Sequence, residues 1–304
     1  MPLVSEIFMS RISDEDVVAL VDLLDRKKPR AAARIHRLLE HNARFQYVFD
    51  VLRFGVNLLP ERFNKTGLSP ATPPNDILLL DRRRIFAGDL FFCDLIAELS
   101  EEVGLNLSRG DYLDFGCASG RIVRNMAAAF PGAAWHGCDP RRSAIEWAQA
   151  NFPQIRFYAN AQVPPLEYEG ESMDGIFACS IWSHFSRRAG RAWLDEMERI
   201  LKPGGWLLLT TSGEDLIDRD VPEEHRDRVK AELRQNGFAY YGKFDGKKFD
   251  LDTSDWGYAF ITRDWMREEL TSGWEELAYR KGCNNGQDVM LVRKPGGELA
   301  RPAY

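Results

Sequence analysis

The pattern of apolar and polar positions changes along this 304-residue chain from helical spacing to short buried runs. In residues 1 to about 55, apolar residues recur every three or four positions, which predicts two helices, one after Ser13 and one after Pro29. The segment 55–85 is rich in proline and lacks periodicity, which is typical of a linker or lid. From Asp111 onward, apolar runs alternate with amphipathic segments, which predicts alternating strands and helices.

The stretch Asp111–Pro140 has the most informative pattern of the chain and reads DYLDFGCASGRIVRNMAAAFPGAAWHGCDP. A strand ending at Asp114 enters a turn of small residues, a helix follows, and a second strand ends at Asp139. Because glycine lacks a Cβ, Gly116 and Gly120 allow a sharp turn and let a ligand approach the amides of the helix N-terminus. An acid at the tip of the second strand is placed to accept hydrogen bonds from a ribose. The unit therefore predicts a site for an adenosine-containing cofactor.

The acid before the glycines narrows the choice of cofactor. Asp114 would repel the phosphates of a dinucleotide and attract an ammonium or sulfonium group. Here the chain resembles the class I S-adenosylmethionine-dependent methyltransferases, whose first motif is an acid followed by alternating glycines. Ala118 stands in place of the middle glycine, and Asp139 matches the ribose-binding acid of the family. The resemblance implies S-adenosylmethionine as the cofactor.

The resemblance continues, in the family's order, to Pro295. Later segments are similar to its fourth strand, to the helix and turn before its fifth strand, to the fifth strand and to its closing hairpin. They are Met173–Ser180, Arg187–Gly205, Trp206–Thr211 and the pair Glu275–Lys281 and Gln287–Arg293.

The resemblance implies an α/β fold with a doubly wound, Rossmann-like, mostly parallel seven-stranded sheet and an antiparallel C-terminal hairpin. N-terminal helices and a lid-like insertion after strand 5 complete the expected fold. The expected parts are a helical extension and linker (1–85), a methyltransferase domain (86–295) with a substrate-covering insertion (214–257), and a tail (296–304). Within the insertion, the pattern predicts a polar helix and a hairpin of Phe238–Tyr241 with Phe244–Phe249.

Cofactor contacts are expected where the first strands end. The resemblance assigns them to Asp114, Gly116, Cys117, Ala118, Gly120, Asp139, Pro140, Asn160, Ala161 and Ser180. The adenine amino group would be bound by the amide of Asn160 or Gln162, because an amide carries both a donor and an acceptor. A simple turn at this point is the alternative.

Methyl transfer from a sulfonium chiefly requires alignment of donor and acceptor, and a general base helps when the acceptor is a hydroxyl. His184 follows the fourth strand, and an ordinary pKa of ~6.5 would let it take a proton near neutrality. A structural role is the alternative for His184. Aromatic residues near the same edge are candidates for a substrate wall or for ordinary packing. They are Trp182, Tyr240, Tyr241, Trp256 and Tyr258.

Composition limits the function classes. A net charge of −6 disfavours a generic nucleic-acid binder. Five cysteines without a CxxC pair indicate free thiols in a reducing cytosol, and no run has the length of a membrane span or the shape of a signal peptide. We therefore expect a cytoplasmic protein without membrane association. The spacing of Cys117, Cys138, Cys179, His136 and His184 matches no metal-ligand pattern, so no metal is expected.

The sequence thus predicts a methyltransferase that acts on a hydroxyl or amine of a small molecule, such as a sugar or natural product. An RNA or protein methyltransferase is the alternative, with the basic cluster Arg26–Arg37 as its candidate contact or simply as a solvated helix start. A cofactor-binding module without turnover and a nicotinamide dehydrogenase stay open. So does assembly into a homo-oligomer.

Overall fold

The computed structural model describes residues 2–78, 87–242 and 252–296, with all side chains except those of residues 87–89. The predicted strand Phe244–Phe249 and the predicted tail beyond Gly296 lie outside the described residues. Among the helices within the described ranges, none combines the length and apolarity that crossing a bilayer requires.

Helices form the first layer of the chain. They are α1 (Val4–Ser10), α2 (Asp14–Lys27), α3 (Pro29–Glu40), α4 (Arg44–Leu58) and α5 (Pro60–Phe63), followed by a 3₁₀ turn (Asn64–Thr66). A capping box begins α2, because Ser13 Oγ accepts from the N–H of Asp16 and the Asp16 carboxylate accepts from the N–H of Ser13. The two predicted helices are present as α2 and α3, and the structure adds α1 and α4.

The N-terminal layer packs on the rest of the protein mainly through α1. Its neighbours are α6 (Ala87–Glu102) and α7 (Val123–Ala129). The N–H of Ser5 donates to Asp94 Oδ1 at 2.7 Å, and Phe8 is fully buried. Burial of such an apolar side chain contributes about 1.5–3 kcal/mol, so the layer is an integral part of the fold.

The remaining elements build the α/β core and the insertion. The strands are β1 (Asp111–Phe115), β2 (Ala134–Asp139), β3 (Arg156–Ala159), β4 (Met173–Ala178), β5 (Leu201–Thr211), β6 (Phe238–Tyr241), β7 (Tyr258–Ile261), β8 (Glu275–Asn284) and β9 (Gln287–Arg293). The later helices are α8 (Arg142–Asn151), α9 (Arg187–Ile200), α10 (Ile217–Asp220), α11 (Glu223–Asn236) and α12 (Arg263–Trp265).

Seven of these strands form one sheet in the order β3-β2-β1-β4-β5-β9-β8. Strands β1 to β5 are parallel, and β9 is antiparallel to both β5 and β8. The predicted Rossmann-like sheet with its C-terminal hairpin is therefore confirmed. In the register of β1 and β2, Asp114 lies opposite Gly137 and Phe115 opposite Cys138. Asp114 and Asp139 consequently end neighbouring strands at the same edge, where ligands bind in open α/β folds.

The described part of the insertion pairs β6 with β7. Phe238 lies opposite Ile261 and Tyr241 opposite Tyr258, whereas Phe244–Phe249, the partner predicted for β6, lies outside the described residues. This pairing lets β7 bury both of its faces. Ala259 and Ile261 join the core beneath α9, while Phe260 packs with the apolar residues of α11. A β-bridge from Phe260 to the residue after β5 then holds the ribbon at the carboxyl edge of the sheet.

Candidate functional site

Two adjoining cavities lie at the carboxyl edge of the sheet. The first, the Asp139 cavity, has a volume of about 380 Å³ and is lined by Asp139, Pro140 and Asn160 among others. The second, the Tyr258 cavity, has a volume of about 620 Å³ and reaches Asp114 and Tyr258. Both volumes are typical of small-molecule sites. The cavities share six lining residues, Gly116, Ala118, Arg121, Cys179, Ser180 and His184.

The turn after β1 forms part of this shared wall. Gly116, Ala118 and Gly120 have positive φ values of 79°, 49° and 75°. A Cβ at Gly116 would lie 2.2 Å from the Cδ1 atom of Ile181, so only glycine fits there without a shift. Ala118 adopts the left-handed conformation although it carries a Cβ, and its N–H donates to Asp139 Oδ2 at 2.9 Å. Ala118, which replaces a glycine of the family pattern, therefore still lets the turn contact Asp139.

Asp139 is buried at the end of β2 and lines the Asp139 cavity. Its Oδ2 accepts from the N–H of Ala118 and its Oδ1 from the N–H of Arg141, both at 2.9 Å. Burial raises the pKa of this carboxyl above its ordinary value, and the two backbone hydrogen bonds oppose that rise. Because a carboxylate offers about four acceptor positions, Asp139 can accept further hydrogen bonds from the cavity side.

Asp114 lies at the end of β1, 1% exposed, and lines the Tyr258 cavity. Its Oδ2 accepts from the N–H of Val123, the first residue of α7, at 3.2 Å. The positive end of the helix dipole stabilises a carboxylate in this position. The two acids therefore line different cavities, on either side of the wall formed by Gly116 and Ala118.

The two candidate adenine contacts have different surroundings. The side-chain amide of Gln162 donates to the carbonyl of Asp252 at 3.0 Å and accepts from the N–H of Asp252 at 2.8 Å. Asn160 donates to the carbonyl of Ala161 at 2.6 Å, and its Oδ1 is buried without a hydrogen-bond partner among the described groups. An orphaned acceptor in the Asp139 cavity fits a ligand amino group, so the structure favours Asn160 over Gln162. Ala161 lines neither cavity, and Gly120 packs against Phe157 instead.

His184 lies in the shared wall, in the turn after β4. Its Nδ1 is 2.7 Å from the carbonyl oxygen of Gly257. Because a carbonyl can only accept, Nδ1 carries the proton and Nε2 carries the lone pair. Burial lowers the pKa of His184 below its ordinary value, against the opposing effects of the Gly257 carbonyl and of Asp220. The ring also stacks on Trp256 at 4.8 Å between centroids, which fixes its plane.

The aromatic wall predicted from the sequence is only partly present. Tyr258 lines the Tyr258 cavity, and Trp256 lines the Asp139 cavity. Trp182 is 1% exposed and its Nε1 donates to the carbonyl of Gly190 at 3.2 Å, so the prediction for Trp182 is wrong and this residue belongs to the core. Tyr240 and Tyr241 line neither cavity, because the first packs against Gly257 and the second against α11.

The structure adds three aromatic residues that the sequence did not indicate. Phe45 of α4, together with Phe91 and Phe92 of α6, lines the Tyr258 cavity. The N-terminal layer therefore contributes directly to the site. The sequence pattern gave no signal for this role, although Phe91 is 39% exposed for a large apolar side chain.

Polar residues of the Tyr258 cavity were also missed. Ser183 is 3% exposed, and its Oγ has no hydrogen-bond partner among the described groups. Gln287 begins β9 and accepts from the hydroxyls of Ser180 and Thr210 at 2.7 Å and 3.0 Å. Its position was predictable in principle, because the first residue of a strand antiparallel to β5 lies at the carboxyl edge. The buried hydroxyl of Ser183 thus has hydrogen-bonding capacity that no described protein group uses.

The thiols and histidines near the strand ends do not form a metal-ligand set in the described residues. Across the described ranges, no three His, Cys, Asp or Glu side chains converge into a group that could hold a metal ion. Cys179 lines both cavities, and burial raises the pKa of its thiol to about 11. It is therefore protonated near neutrality and a poor nucleophile.

Residues 113–205 match the family model described as a methyltransferase domain. This segment contains the glycine turn, Asp139, Asn160 and His184. The chain therefore contains a methyltransferase domain of the class I S-adenosylmethionine-dependent family. S-adenosylmethionine is the cofactor of this family.

Two curated methyltransferases are similar to part of the chain. The malonyl-[acyl-carrier protein] O-methyltransferase of Hahella chejuensis is 31% identical over 126 residues, which are 39% of this chain and 44% of that protein. The phthiotriol/phenolphthiotriol dimycocerosates methyltransferase 1 of Mycobacterium ulcerans is 30% identical over 137 residues, or 43% of this chain and 47% of that protein. The chain thus spans less than half the length of either relative.

Solved methyltransferase structures resemble this one at low identity. A S-adenosylmethionine-dependent methyltransferase from Methanosarcina mazei has a TM-score of 0.48 and 17% identity, covering 67% of this chain and 98% of that one. Another from Clostridium acetobutylicum has a TM-score of 0.46 and 14% identity, covering 72% of this chain and 94% of that one.

Proposed function

We propose that this methyltransferase transfers the methyl group of S-adenosylmethionine to a hydroxyl or amine of a small-molecule acceptor held in the Tyr258 cavity. The observation that carries the proposal is the shared wall, where Gly116, Ala118 and His184 border both cavities. Donor and acceptor must meet in line, and two adjoining cavities satisfy that requirement. The cofactor supplies a methyl group on a positively charged sulfur, which is already an activated leaving group.

Three residues would hold the cofactor. Asp139 would accept from the ribose hydroxyls, and the orphaned Oδ1 of Asn160 would accept from the adenine amino group. Asp114, buried beside the α7 N-terminus, would attract the positive charges of the methionine part, which would reach past the shared wall into the Tyr258 cavity.

His184 would act as the general base on the acceptor. Its neutral form presents the Nε2 lone pair, because Nδ1 is committed to the Gly257 carbonyl. Loss of a proton from a hydroxyl to Nε2 would accompany attack on the methyl group. The imidazolium formed would be stabilised by that carbonyl and by the nearby carboxylate of Asp220, both of which favour the charged ring.

Calorimetry and methyl labelling test this function together. Titration with S-adenosylhomocysteine should show one site per chain, whereas titration with NAD should show none. The protein would then be incubated with S-adenosylmethionine carrying a deuterated methyl group and with a fractionated cell extract. Mass spectrometry should find the label in a small molecule.

Each competing function has its own outcome in these experiments. Binding of NAD in preference to S-adenosylhomocysteine would indicate a dehydrogenase. Binding of S-adenosylhomocysteine without label in any fraction would indicate a module without turnover. Label confined to the RNA or protein fraction would support the alternative, a macromolecular acceptor.

Replacing Asp139 by alanine is expected to weaken S-adenosylhomocysteine binding by about 1–3 kcal/mol, because ribose hydroxyls would lose their acceptor. The N–H groups of Ala118 and Arg141 would also lose their partner, so the free energy of unfolding should fall. Calorimetry and urea unfolding measure the two effects. Asp111→Ala, at the opposite end of β1 and half-exposed, is the control and should leave cofactor affinity unchanged. Unchanged affinity in the Asp139 variant would remove this residue from the site.

Replacing Ser183 by alanine is expected to separate function from stability. The free energy of unfolding should stay unchanged or rise, because the substitution removes a buried hydroxyl without a partner. If that hydroxyl binds the acceptor, kcat/KM should fall about tenfold. Ser186→Ala is the control, since Ser186 caps α9 and its loss should cost about 1 kcal/mol of stability. A stability loss at Ser183 comparable to that at Ser186 would contradict the ligand role.

A further inference from the structure

A third cavity lies between α1, α3, α4 and α6. This N-terminal groove has a volume of about 640 Å³, and its apolar lining consists of Leu3, Met9, Leu38, Leu39, Phe45, Tyr47 and Val48. No residue of the cofactor site lines it. The groove is therefore a separate apolar surface, built by the layer that precedes the methyltransferase domain.

The groove adjoins the Tyr258 cavity at one side chain. Phe45 lines both, and its ring contacts that of Phe91 edge-on at 5.8 Å. Phe91 also lines the Tyr258 cavity. An aromatic pair thus forms a continuous apolar wall from the proposed acceptor site to the groove.

Polarity changes along this path. Around His184, the Tyr258 cavity is lined by the unsatisfied Ser183 hydroxyl and by the paired side chains of Arg219 and Asp220. Three phenylalanines, Phe45, Phe91 and Phe92, line the same cavity, and the groove that shares Phe45 with it has seven apolar lining residues. Leu39 is 54% exposed in that groove, which leaves a large apolar side chain without cover. The path therefore suits a molecule with one polar and one apolar end.

The charged groups of the groove have partners of their own. Glu6 forms an ion pair with Arg44 at 2.9 Å, and the Asp94 carboxylate accepts from the N–H of Ser5 at 2.7 Å. Both carboxylates are therefore already paired within the protein. An uncharged chain can therefore lie along the groove without stranding a charge.

We propose that the methyl acceptor is an amphiphile whose alkyl or acyl chain passes Phe45 and Phe91 and lies in the N-terminal groove, with its polar head in the Tyr258 cavity. The position of the head rests on the proposed function. Binding of the chain depends only on the groove and can be measured without the cofactor.

Calorimetry with hexyl, octyl and decyl β-glucosides, each below its micellar concentration and without cofactor, tests this proposal. Affinity should rise about threefold to fourfold for each methylene that is buried. Leu39→Gln should flatten this dependence, because glutamine retains the length and helix propensity of leucine but not its apolar surface. Val18→Gln is the matched control, since Val18 is exposed to a similar degree on α2, 59% against 54%, and lines none of the described cavities.

Equal affinity for the three glucosides would overturn the proposal, and so would an equal effect of the two substitutions. Sedimentation velocity tests whether a second copy of this chain occupies the groove instead. A dimer that dissociates on Leu39→Gln substitution would show this and would also overturn the proposal. Chain-length dependence without S-adenosylhomocysteine binding would support the groove and refute only the proposed function. Binding of S-adenosylhomocysteine without chain-length dependence would refute only the binding of an apolar chain in the groove.

Discussion

Replacing His184 by glutamine is expected to lower the rate of methyl transfer to a hydroxyl acceptor by about 10²–10⁴-fold, the usual contribution of a general base. Glutamine can still donate to the Gly257 carbonyl, so the turn after β4 should keep its shape. Affinity for S-adenosylhomocysteine should consequently change little. Single-turnover kinetics with the acceptor identified by methyl labelling, together with calorimetry, would measure the two quantities.

The pH profile separates a base from a structural residue. Because burial lowers the pKa of His184, the wild-type rate should stay constant down to below ~6.5 and fall only at more acid pH. The glutamine variant should lose that acid limb. His36→Gln, an exposed histidine on α3, should retain both rate and profile. A near-normal rate in the His184 variant, or an unchanged acid limb, would assign His184 to packing on Trp256.

The same lowered pKa affects stability. Burial also lowers the pKa of His136, so two histidines take up protons less readily in the folded protein than in the unfolded chain. As pH falls below the unfolded value of ~6.5, the unfolded chain binds more protons and the free energy of unfolding decreases. The acid loss of activity should therefore be measured over a range in which circular dichroism shows the protein to be folded.

Local signals were sufficient for the first strand–helix–strand unit and for its two acids. Asp114 and Asp139 each end an apolar run and flank a glycine turn, and parallel strands must place their carboxyl ends at one edge. The family resemblance supplied the strand order beyond them. The strand ends and the glycine turn can be predicted from the sequence because they depend on neighbours within about 30 residues.

Pairings over longer distances were not visible in the sequence. The chain pairs β6 with β7 across the residues that follow Gly242, because Phe260 and Ile261 bury opposite faces of the ribbon. Trp182 was assigned to a substrate wall, but it fills the core beneath α9. Side-chain direction in an irregular turn follows from tertiary packing, which periodicity does not encode.

The contribution of the N-terminal layer could not be predicted for the same reason. An amphipathic helix predicts that one face is buried, but it does not say which surface covers that face. Phe45 and Phe91 meet only because α4 and α6 pack side by side. The Tyr258 cavity is thus completed by a part of the chain that lies outside the matched methyltransferase domain.

Replacing Gly116 by alanine is expected to lower the free energy of unfolding by about 2–5 kcal/mol and to weaken S-adenosylhomocysteine binding at least tenfold. The residue has a φ of 79°, and a Cβ would lie 2.2 Å from Ile181 Cδ1 and 2.8 Å from its Cγ1. Relief of that clash must displace either the turn or Ile181, and both line the Asp139 cavity. Urea unfolding and calorimetry would measure the two losses.

Gly104→Ala separates backbone strain from this clash. Gly104 has nearly the same φ, 75°, but a Cβ there would have no neighbour within 4 Å. Its substitution should cost only the strain of about 1–2 kcal/mol and leave cofactor affinity intact. Adding Ile181→Ala to the Gly116 variant should restore part of the lost affinity, because it removes both clashing atoms. Equal effects of the two glycine substitutions, or no rescue in the double variant, would show that the close approach of the turn to Ile181 does not shape the cofactor cavity.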